Sequence, residues 1–286
     1  FESEDLKKDD IDALVYITAS PDHFLPPTSR ILHGKLGLKQ ETYCIDITQG
    51  CCAFEEGLIQ SFLLLEQPTI NKVALVTTDV LSHKVSKKDR NSYPLIGDAA
   101  SITIIEKSET ENNIEAVIFN DGTRADALKI PAGGFRMPCS AETAVLHADE
   151  EGNERALDNL VMDGTVVFNF VMQDVPPMLF DLFKRANLTK DDFDWFLFHQ
   201  PNRFMLQKLA EKLEVPYEKM PANVVERYGN SSGTTVPAVT VLTFEEKEMP
   251  AKQKVCFSGF GVGLTWASII MDLEPLKFCK TIIYEK

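Results

Sequence analysis

Apolar residues form two similar α/β patterns, separated by a polar and irregular stretch at about residues 107–159. The first pattern, over residues 10–106, predicts strand, helix, strand, helix, strand and then a strand pair around 97–106. The second predicts a long helix at 162–186, a strand, two further helices and two strands around 254–272. The repeated order of elements indicates two α/β halves, although no sequence identity between them is apparent.

Cys51 lies where a predicted buried strand, residues 43–47, gives way through Gly50 to a helical pattern. A helix N-terminus offers unpaired backbone N–H groups and the positive end of the helix dipole, both of which favour a thiolate. We therefore expect the pKa of Cys51 to be lowered, and the same N–H groups could hold an oxyanion. The alternative is that Cys51 and Cys52 are small, buried apolar residues.

Two further residues are candidate partners of this cysteine. His199 follows a compact apolar strand at 195–198 and precedes Asn202, which can cap the next helix. Asn230 lies in a tight turn rich in glycine and serine, just before an apolar helix. Taken singly, His199 reads more simply as a structural histidine and the Asn230 turn as an ordinary turn.

Three glycines, Gly259, Gly261 and Gly263, lie between two strand-like runs and suit a loop whose backbone approaches a ligand closely. Together and in order, these elements resemble the β-ketoacyl-acyl carrier protein synthase III family of the thiolase-like superfamily. The similarity covers nearly the whole chain. It rests on the nucleophile motif DITQGCCAF, the strand IGDAASITII, the loop PAGGFRMP and the motifs FHQPN, YGNSSGTTVP and FGVGLTWAS.

The resemblance implies a fold and a division of the chain. The fold is an α/β, five-layered αβαβα sandwich with two pseudo-duplicated halves. Residues 1–159 would form the half that carries the nucleophile, and residues 160–286 the half that carries the histidine and the asparagine. Residues 7–22 resemble the family's second strand region, so the first half lacks the family's first strand and helix.

The missing region normally carries groups that hold coenzyme A. Either an N-terminal region of the protein precedes this chain, or coenzyme A is bound poorly. We favour the first, because a sheet lacking its central first strand would expose a large apolar face.

The resemblance also implies a catalytic triad of Cys51, His199 and Asn230. The Cys51 thiolate would attack an acyl thioester and form an acyl-enzyme. His199, as a neutral imidazole, and Asn230 would then donate hydrogen bonds to a malonyl thioester as it loses carbon dioxide, each donor contributing roughly 3 kcal/mol. The resulting carbanion would attack the acyl group held on Cys51.

The tetrahedral oxyanion of that reaction would accept hydrogen bonds from the backbone N–H of Cys51 and one from Gly261, Val262 or Gly263. Phe260 would lie in the substrate pocket and exclude water. The chain departs from the family at Cys52 and Ala53, which predicts a shorter or reshaped acyl tunnel. It departs again at Val262, where the family has a small residue, so the loop is either shifted or tolerates a side chain.

Phe24 and Leu25 match a segment that crosses the dimer interface in the family and closes the partner's acyl tunnel. A homodimer is therefore implied. The alternative is an ordinary proline-rich loop. We expect no cofactor beyond acyl-coenzyme A as a substrate, and no metal.

The net charge of the chain limits the classes of binding partner that we expect. The formal net charge of -14 argues against nucleic acid and against an anionic membrane. Acyl carrier protein is acidic too, so its docking would need a local basic patch, for which Arg203, Lys208 and Lys212 are weak candidates.

Apolar runs fall short of a bilayer span and the charged N-terminus does not resemble a signal peptide, which makes a cytoplasmic location the expectation. The six cysteines show neither a disulfide framework nor paired metal-ligand spacing.

Three functions remain open on the sequence. The first is a condensing enzyme that joins an acyl thioester to a malonyl thioester. The second is an acyltransferase that passes the acyl group from Cys51 to an alcohol or an amine. The third is a non-catalytic partner subunit, against which the intact triad weighs.

Overall fold

Two four-stranded sheets, stacked with helices between and outside them, organise the computed structural model, which describes residues 6–108, 112–245, 249 and 251–284. The strands, in chain order, are β1 (Ala13–Thr18), β2 (Tyr43–Thr48), β3 (Lys72–Asp79), β4 (Ala99–Glu106), β5 (Glu115–Asn120), the two-residue strands β6 (Leu128–Lys129), β7 (His147–Ala148), β8 (Glu154–Arg155) and β9 (Val161–Met162), then β10 (Trp195–Phe198), β11 (Gln253–Gly261) and β12 (Thr265–Leu273). The α-helices are α1 (Thr28–Leu36), α2 (Ala53–Leu65), α3 (Gly164–Arg185), α4 (Arg203–Leu213), α5 (Asn223–Tyr228) and α6 (Thr235–Phe244).

The first sheet has the order β2-β1-β3-β4, and β1 runs parallel to both of its neighbours. Both faces of β1 are buried: Leu14 packs outward with Ala74, whereas Val15 and Ile17 face the interior between the sheets. A continuous apolar strand is what a parallel sheet covered on both faces requires. Strand β1 lies at an inner position of this sheet, and the absence of the family's first strand and helix from the first half stays a prediction.

The second sheet has the order β10-β11-β12-β5, with β10 parallel to β11 and β12 antiparallel to both neighbours. Helices α2 and α6 contact both sheets and form the middle layer. Helix α1 packs on the outer face of the first sheet, while α3 packs against the second sheet and against α4. The five-layered αβαβα sandwich is thereby confirmed.

Two sequence predictions differ from the structure. The predicted strand pair around residues 97–106 is a single strand, β4, at Ala99–Glu106; Gly97 precedes it, and its N–H donates to the Asn230 carbonyl in a separate turn. The stretch 107–159, predicted irregular, carries β5, which pairs with β12 in the second sheet. The predicted division at residue 159 assigns β5 to the N-terminal half, although β5 pairs in the second sheet, most of which comes from the C-terminal half. The division at residue 159 stays a prediction.

Matching ion pairs support the duplication of the two halves. In the first sheet Asp12 exchanges hydrogen bonds with the backbone of Lys72, whose ammonium lies 2.8 Å from Glu106. In the second sheet Asp194 does the same with Lys254, whose ammonium lies 2.5 Å from Asp272. The corresponding runs, KDDIDALVY and KDDFDWFLF, are a sequence repeat that our sequence analysis missed.

Among the described residues, one helix, α3, is long and apolar enough by length and composition to cross a membrane. Half of its most apolar window is buried in the fold, and Asp174 and Asp181 interrupt it. Its buried side chains, such as Phe170 and Leu179, belong to the core of the second half. The buried core helix of a folded domain meets the same criteria of length and composition, so these criteria are weak evidence that α3 spans a membrane.

The Asp12 carboxylate predicts a pH-dependent contribution to stability. Burial alone would raise its pKa, but the Lys39 ammonium and the N–H groups of Asn71 and Lys72 outweigh burial and lower it. The stabilisation is therefore present at neutral pH and is lost as pH falls below the ordinary value of 3.8. We expect Asp12→Asn to lower the free energy of unfolding by about 1–3 kcal/mol at pH 7. Urea unfolding at pH 7 and near pH 3 measures whether the difference shrinks.

The control is Asp9→Asn, which removes the same charge from an exposed neighbouring residue. Equal losses of stability in the two variants would show that the Asp12 hydrogen bonds contribute nothing specific.

Candidate active site

Cys51 lies between the C-terminal end of β2 and the start of α2, whose N-cap residue is Cys52. The site therefore forms where the parallel strands of the first sheet end, and loops of the second half cover it. A methyl group on Gly261 would overlap the Cys51 sulfur, and one on Gly259 would crowd the Cys51 carbonyl. Glycine at these positions allows the backbone of the second half to lie directly on the candidate nucleophile.

Burial controls the ionisation of Cys51. The pKa of the thiol is raised to about 11, mainly by removal from water and in smaller part by the charge of Asp79. The backbone N–H groups of Val262 and Cys51 lower it, but by less than burial raises it. The predicted position at a helix N-terminus is confirmed, whereas the predicted lowering of the pKa is wrong because desolvation is the larger effect.

Those same two N–H groups, from Cys51 and Val262, lie at the sulfur where an oxyanion would form. Val262 directs its side chain toward Gly50, so that a methyl group on Gly50 would lie 2.7 Å from Val262 Cγ1. The loop thus accommodates valine while its N–H still faces Cys51. Among Gly261, Val262 and Gly263, the geometry favours Val262 as the second donor; the assignment itself stays a prediction.

His199 follows the last residue of β10, and its N–H donates to the Ser258 carbonyl. The side chain is buried, and burial lowers its pKa to about 3, which keeps the imidazole neutral at physiological pH. Nδ1 lies 2.7 Å from Oγ1 of Thr235. The ring stands edge-on to Phe260, with the two ring centroids 5.7 Å apart.

Asn230 is held by its backbone. Its N–H donates to the Leu95 carbonyl at 2.7 Å, and its own carbonyl accepts from Gly97 at 3.0 Å. A methyl group on Gly97 would overlap the Tyr228 carbonyl, so this approach requires glycine. The Asn230 Oδ1 accepts from the Ser232 N–H at 2.9 Å, which orients the amide and leaves Nδ2 able to donate elsewhere.

Ser232 connects the three candidate residues. Its N–H holds the Asn230 side chain, its carbonyl lies close to the His199 ring, and its hydroxyl contacts the Cys51 thiol. The structure therefore brings Cys51, His199 and Asn230 to one place. Sequence reasoning missed Ser232, Thr235 and Asp79, although the first two lie within the quoted motif YGNSSGTTVP.

The methyl group of Ala53 is accommodated at the nucleophile turn. It faces Gly233, where a Cβ would overlap it, and Cys52 is fully buried with its thiol donating to the Thr265 carbonyl. Cys52 and Ala53, the two residues that depart from the family pattern here, therefore pack against residues of the C-terminal half. The predicted change in the acyl tunnel stays a prediction.

The other predicted site residues lie further out. Phe24 and Leu25 are 64% and 83% exposed, and the Phe24 ring lies 5.0 Å from that of Phe135. Arg203 pairs with Glu226, and Lys208 pairs with Glu211. The basic patch predicted on α4, which includes Lys212, is thus largely neutralised by carboxylates. Within the described ranges, no group of three or more His, Cys, Asp or Glu side chains could hold a metal ion.

Comparison with known proteins assigns the family. The family model "3-Oxoacyl-[acyl-carrier-protein (ACP)] synthase III" matches residues 45–122, and the model of its C-terminal part matches residues 183–273. A putative 3-oxoacyl-[acyl-carrier-protein] synthase 3 from Campylobacter jejuni is 31% identical over 284 residues, which cover 98% of this chain and 78% of that protein. The chain belongs to the 3-oxoacyl-acyl carrier protein synthase III family.

Solved structures agree with this assignment. A crystal structure of a 3-oxoacyl-(acyl-carrier-protein) synthase III has a TM-score of 0.91 and 30% identity, covering 96% of this chain and 81% of its own. A 3-oxoacyl-(acyl-carrier protein) synthase from Burkholderia xenovorans has a TM-score of 0.88 and 33% identity, covering 96% of this chain and 77% of its own. Membership of this family of condensing acyltransferases, with the thiolase-like fold, is therefore established.

The close approach at Cys51 predicts that Gly261→Ala blocks the thiol. The added methyl group would occupy the space of the sulfur, so we expect alkylation of Cys51 by iodoacetamide to slow at least about a hundredfold. Tandem mass spectrometry of the labelled peptide measures the rate. Gly34→Ala is the control, because a Cβ there meets no atom within 4 Å. Unchanged labelling in Gly261→Ala would contradict this geometry.

Proposed function

We propose that this protein joins an acyl thioester to a malonyl thioester, with Cys51 as the nucleophile. The observation that carries the proposal is the convergence of Cys51, His199 and Asn230 on Ser232. Backbone donors at the sulfur and side-chain donors opposite it are the two sets of groups that this reaction needs. Family membership supports the same reaction.

In the first step the Cys51 thiolate attacks the carbonyl carbon of the acyl thioester. The tetrahedral oxyanion accepts hydrogen bonds from the N–H groups of Cys51 and Val262, which already point to this position. Expulsion of the carrier thiolate leaves the acyl group on Cys51. The reaction is thus divided into two easier transfers.

In the second step the malonyl thioester loses carbon dioxide and becomes an enolate. Nδ2 of Asn230 and Nε2 of His199 donate to the thioester oxygen on which charge develops. This role requires the hydrogen of the neutral imidazole on Nε2, with Nδ1 as an acceptor. Nδ1 lies 2.7 Å from the Thr235 hydroxyl, which also lies 2.9 Å from the Ser232 carbonyl, so the Nε2 tautomer requires that hydroxyl to turn from the carbonyl to Nδ1. Burial keeps the imidazole neutral, so it donates a hydrogen bond to the enolate oxygen and does not protonate the enolate.

The enolate carbon then attacks the acyl carbon on Cys51 and forms the new carbon–carbon bond. The C–S bond to Cys51 breaks, which releases the 3-oxoacyl thioester and returns Cys51 as a thiolate. Phe260 packs beside His199 and keeps water away from the enolate. Exclusion of water prevents simple protonation of the carbanion and strengthens each hydrogen bond in the site.

We further propose acyl-coenzyme A as the acyl donor, a carrier protein as the malonyl donor, a homodimer and a cytoplasmic location. The exposed pair Phe24 and Leu25 supports the dimer, since apolar side chains exposed to this extent suit an interface. The net charge of -14 and the paired cations of α4 disfavour long-range attraction of an acidic carrier. Docking would therefore depend on contacts and not on a strongly basic surface.

The central experiment follows the acyl group by intact-protein mass. The enzyme is incubated with a panel of acyl-coenzyme A thioesters and then with a malonyl-acyl carrier protein. We expect an adduct on Cys51 that disappears as carbon dioxide is released. His199→Ala and Asn230→Ala should still form the adduct but release carbon dioxide about a hundredfold or more slowly, because each lacks one donor to the enolate.

Cys51→Ala is the control for the site of the adduct. An adduct that persists with malonyl-acyl carrier protein and disappears with an alcohol or amine would indicate the acyltransferase. Absence of any adduct would indicate a non-catalytic partner subunit.

The tunnel-closing role of Phe24 is testable separately. If Phe24 reaches the acyl tunnel of a partner subunit, Phe24→Ala should admit longer acyl chains in the same mass experiment. Phe180→Ala is a matched control, because that phenylalanine is also about half exposed but lies on α3. An unchanged preference for chain length in Phe24→Ala would count against the role.

A further inference from the structure

Thr235, the first residue of α6, places its hydroxyl group at Nδ1 of His199, the ring nitrogen that does not face the substrate in the proposed reaction. Its Oγ1 lies 2.7 Å from that nitrogen, 2.9 Å from the Ser232 carbonyl oxygen and 3.2 Å from the backbone nitrogen of Gln200. Thr235 is fully buried, so protein groups supply its hydrogen-bond partners.

The hydroxyl group has one hydrogen and two neighbours that are able to accept it. One lone pair of Oγ1 already accepts from the Gln200 N–H. If the hydrogen points to the Ser232 carbonyl, Nδ1 of His199 can approach Oγ1 to 2.7 Å only by donating a hydrogen of its own. If the hydrogen points to Nδ1, a neutral ring carries its hydrogen on Nε2. The direction of this O–H bond and the tautomer of His199 are therefore coupled.

The Ser232 carbonyl does not depend on the hydroxyl group for a donor. The backbone N–H of Thr235 also donates to it, at the end of the short 3₁₀ turn Ser232–Thr234. Among the described residues, the Thr235 hydroxyl is the one donor shown at Nδ1 of His199. An imidazole nitrogen is more basic than an amide oxygen, and the distance to Nδ1 is the shorter of the two. These comparisons favour a hydroxyl hydrogen directed at Nδ1.

We propose that Thr235 is a positioning residue that holds His199 in the tautomer with its hydrogen on Nε2. Thr235 acts through His199: the hydroxyl hydrogen occupies Nδ1, so the ring's own hydrogen is on the nitrogen that faces the thioester oxygen. The Gln200 N–H holds the hydroxyl oxygen in place. No proton is transferred, and both side chains keep their hydrogens throughout condensation. The inference rests on the proposed function in taking His199 as a donor to the enolate oxygen.

The tautomer matters because it decides the sign of the interaction with the enolate. With its hydrogen on Nδ1, His199 would direct the lone pair of Nε2 at the oxygen that gains negative charge. The site would lose one donor and gain a repulsive contact. Thr235 therefore determines whether His199 promotes or opposes the loss of carbon dioxide.

Nuclear magnetic resonance measures the tautomer directly. In protein labelled with ¹⁵N-histidine, correlations between the ring protons and the ring nitrogens distinguish a nitrogen that carries hydrogen from a bare one. His199→Ala identifies the His199 signals among those of the five histidines. We expect the hydrogen on Nε2 in the unsubstituted protein.

Thr235→Val keeps the shape of the side chain but removes the hydroxyl group. Valine offers no hydrogen to Nδ1, whereas the Ser232 carbonyl remains close as an acceptor, so the hydrogen of His199 should move to Nδ1. Thr235→Ser retains a hydroxyl group and should restore the hydrogen to Nε2. Hydrogen on Nδ1 in the unsubstituted protein, or on Nε2 in both that protein and Thr235→Val, would overturn the proposal.

The two half-reactions provide a second readout in the intact-mass experiment. Thr235→Val should form the Cys51 adduct at the rate of the unsubstituted protein but release carbon dioxide about tenfold to a hundredfold more slowly, because the enolate loses the His199 donor. Thr235→Ser should recover most of that rate. Equal slowing of both steps would show a structural defect in place of an effect on the tautomer, and would overturn the proposal.

Thr240→Val is the matched control. Thr240 is a buried threonine of the same helix, and its hydroxyl donates to the Val236 carbonyl at 2.9 Å. This variant should keep the hydrogen of His199 on Nε2 and leave both rates unchanged. The same losses in Thr240→Val would assign the effect to the packing of α6 and overturn the proposal.

The tautomer measurement separates this inference from the proposed function. It requires neither an acyl nor a malonyl substrate. Hydrogen on Nδ1 in a protein that still condenses its substrates would overturn the inference and leave the proposed function standing. Hydrogen on Nε2 that depends on the Thr235 hydroxyl, in a protein that releases no carbon dioxide, would support the inference about the ring and contradict the proposed function. Circular dichroism and thermal unfolding show whether the variants fold, and the spectrum of the unsubstituted protein tests the proposal without them.

Discussion

The close contact between the loops of the second half and the nucleophile turn is the constraint on which the site depends. Gly261 lies against the Cys51 sulfur, and Gly233 lies against Ala53 and the Gly50 carbonyl. No side chain fits between these backbones. Because the contact is backbone on backbone, the N–H of Val262 reaches the sulfur and Ser232 reaches Cys51, His199 and Asn230 together.

Burial at this contact gives the site its electrostatic character. Desolvation makes Cys51 a weaker acid and His199 a weaker base, and it raises the pKa of Asp79. Each group is therefore driven toward its neutral form. In such surroundings a fixed N–H or hydroxyl is worth more than in water, so reaction charges are best stabilised by donors that are already in position.

The sequence analysis was most accurate where a pattern is local. The strand before Cys51, the N-cap by Asn202 and the order of elements in both halves follow from periodicity and capping chemistry. It was least accurate where distant segments decide the outcome. The pKa of Cys51 moves opposite to the prediction because burial by the second half outweighs the local helix terminus, and β5 pairs with β12, 145 to 155 residues away along the chain.

The sequence by itself determined the family and the residue types of the candidate triad, because ordered motifs of nucleophile, histidine, asparagine and glycine carry that information without coordinates. Only the tertiary structure decided which groups surround them. Ser232 and Asp79 are distant in sequence, and both act on the pKa of Cys51 because β3 contacts the segment that follows Asn230. Proton affinity and hydrogen-bond partners are properties of such a meeting, which is why no local pattern encodes them.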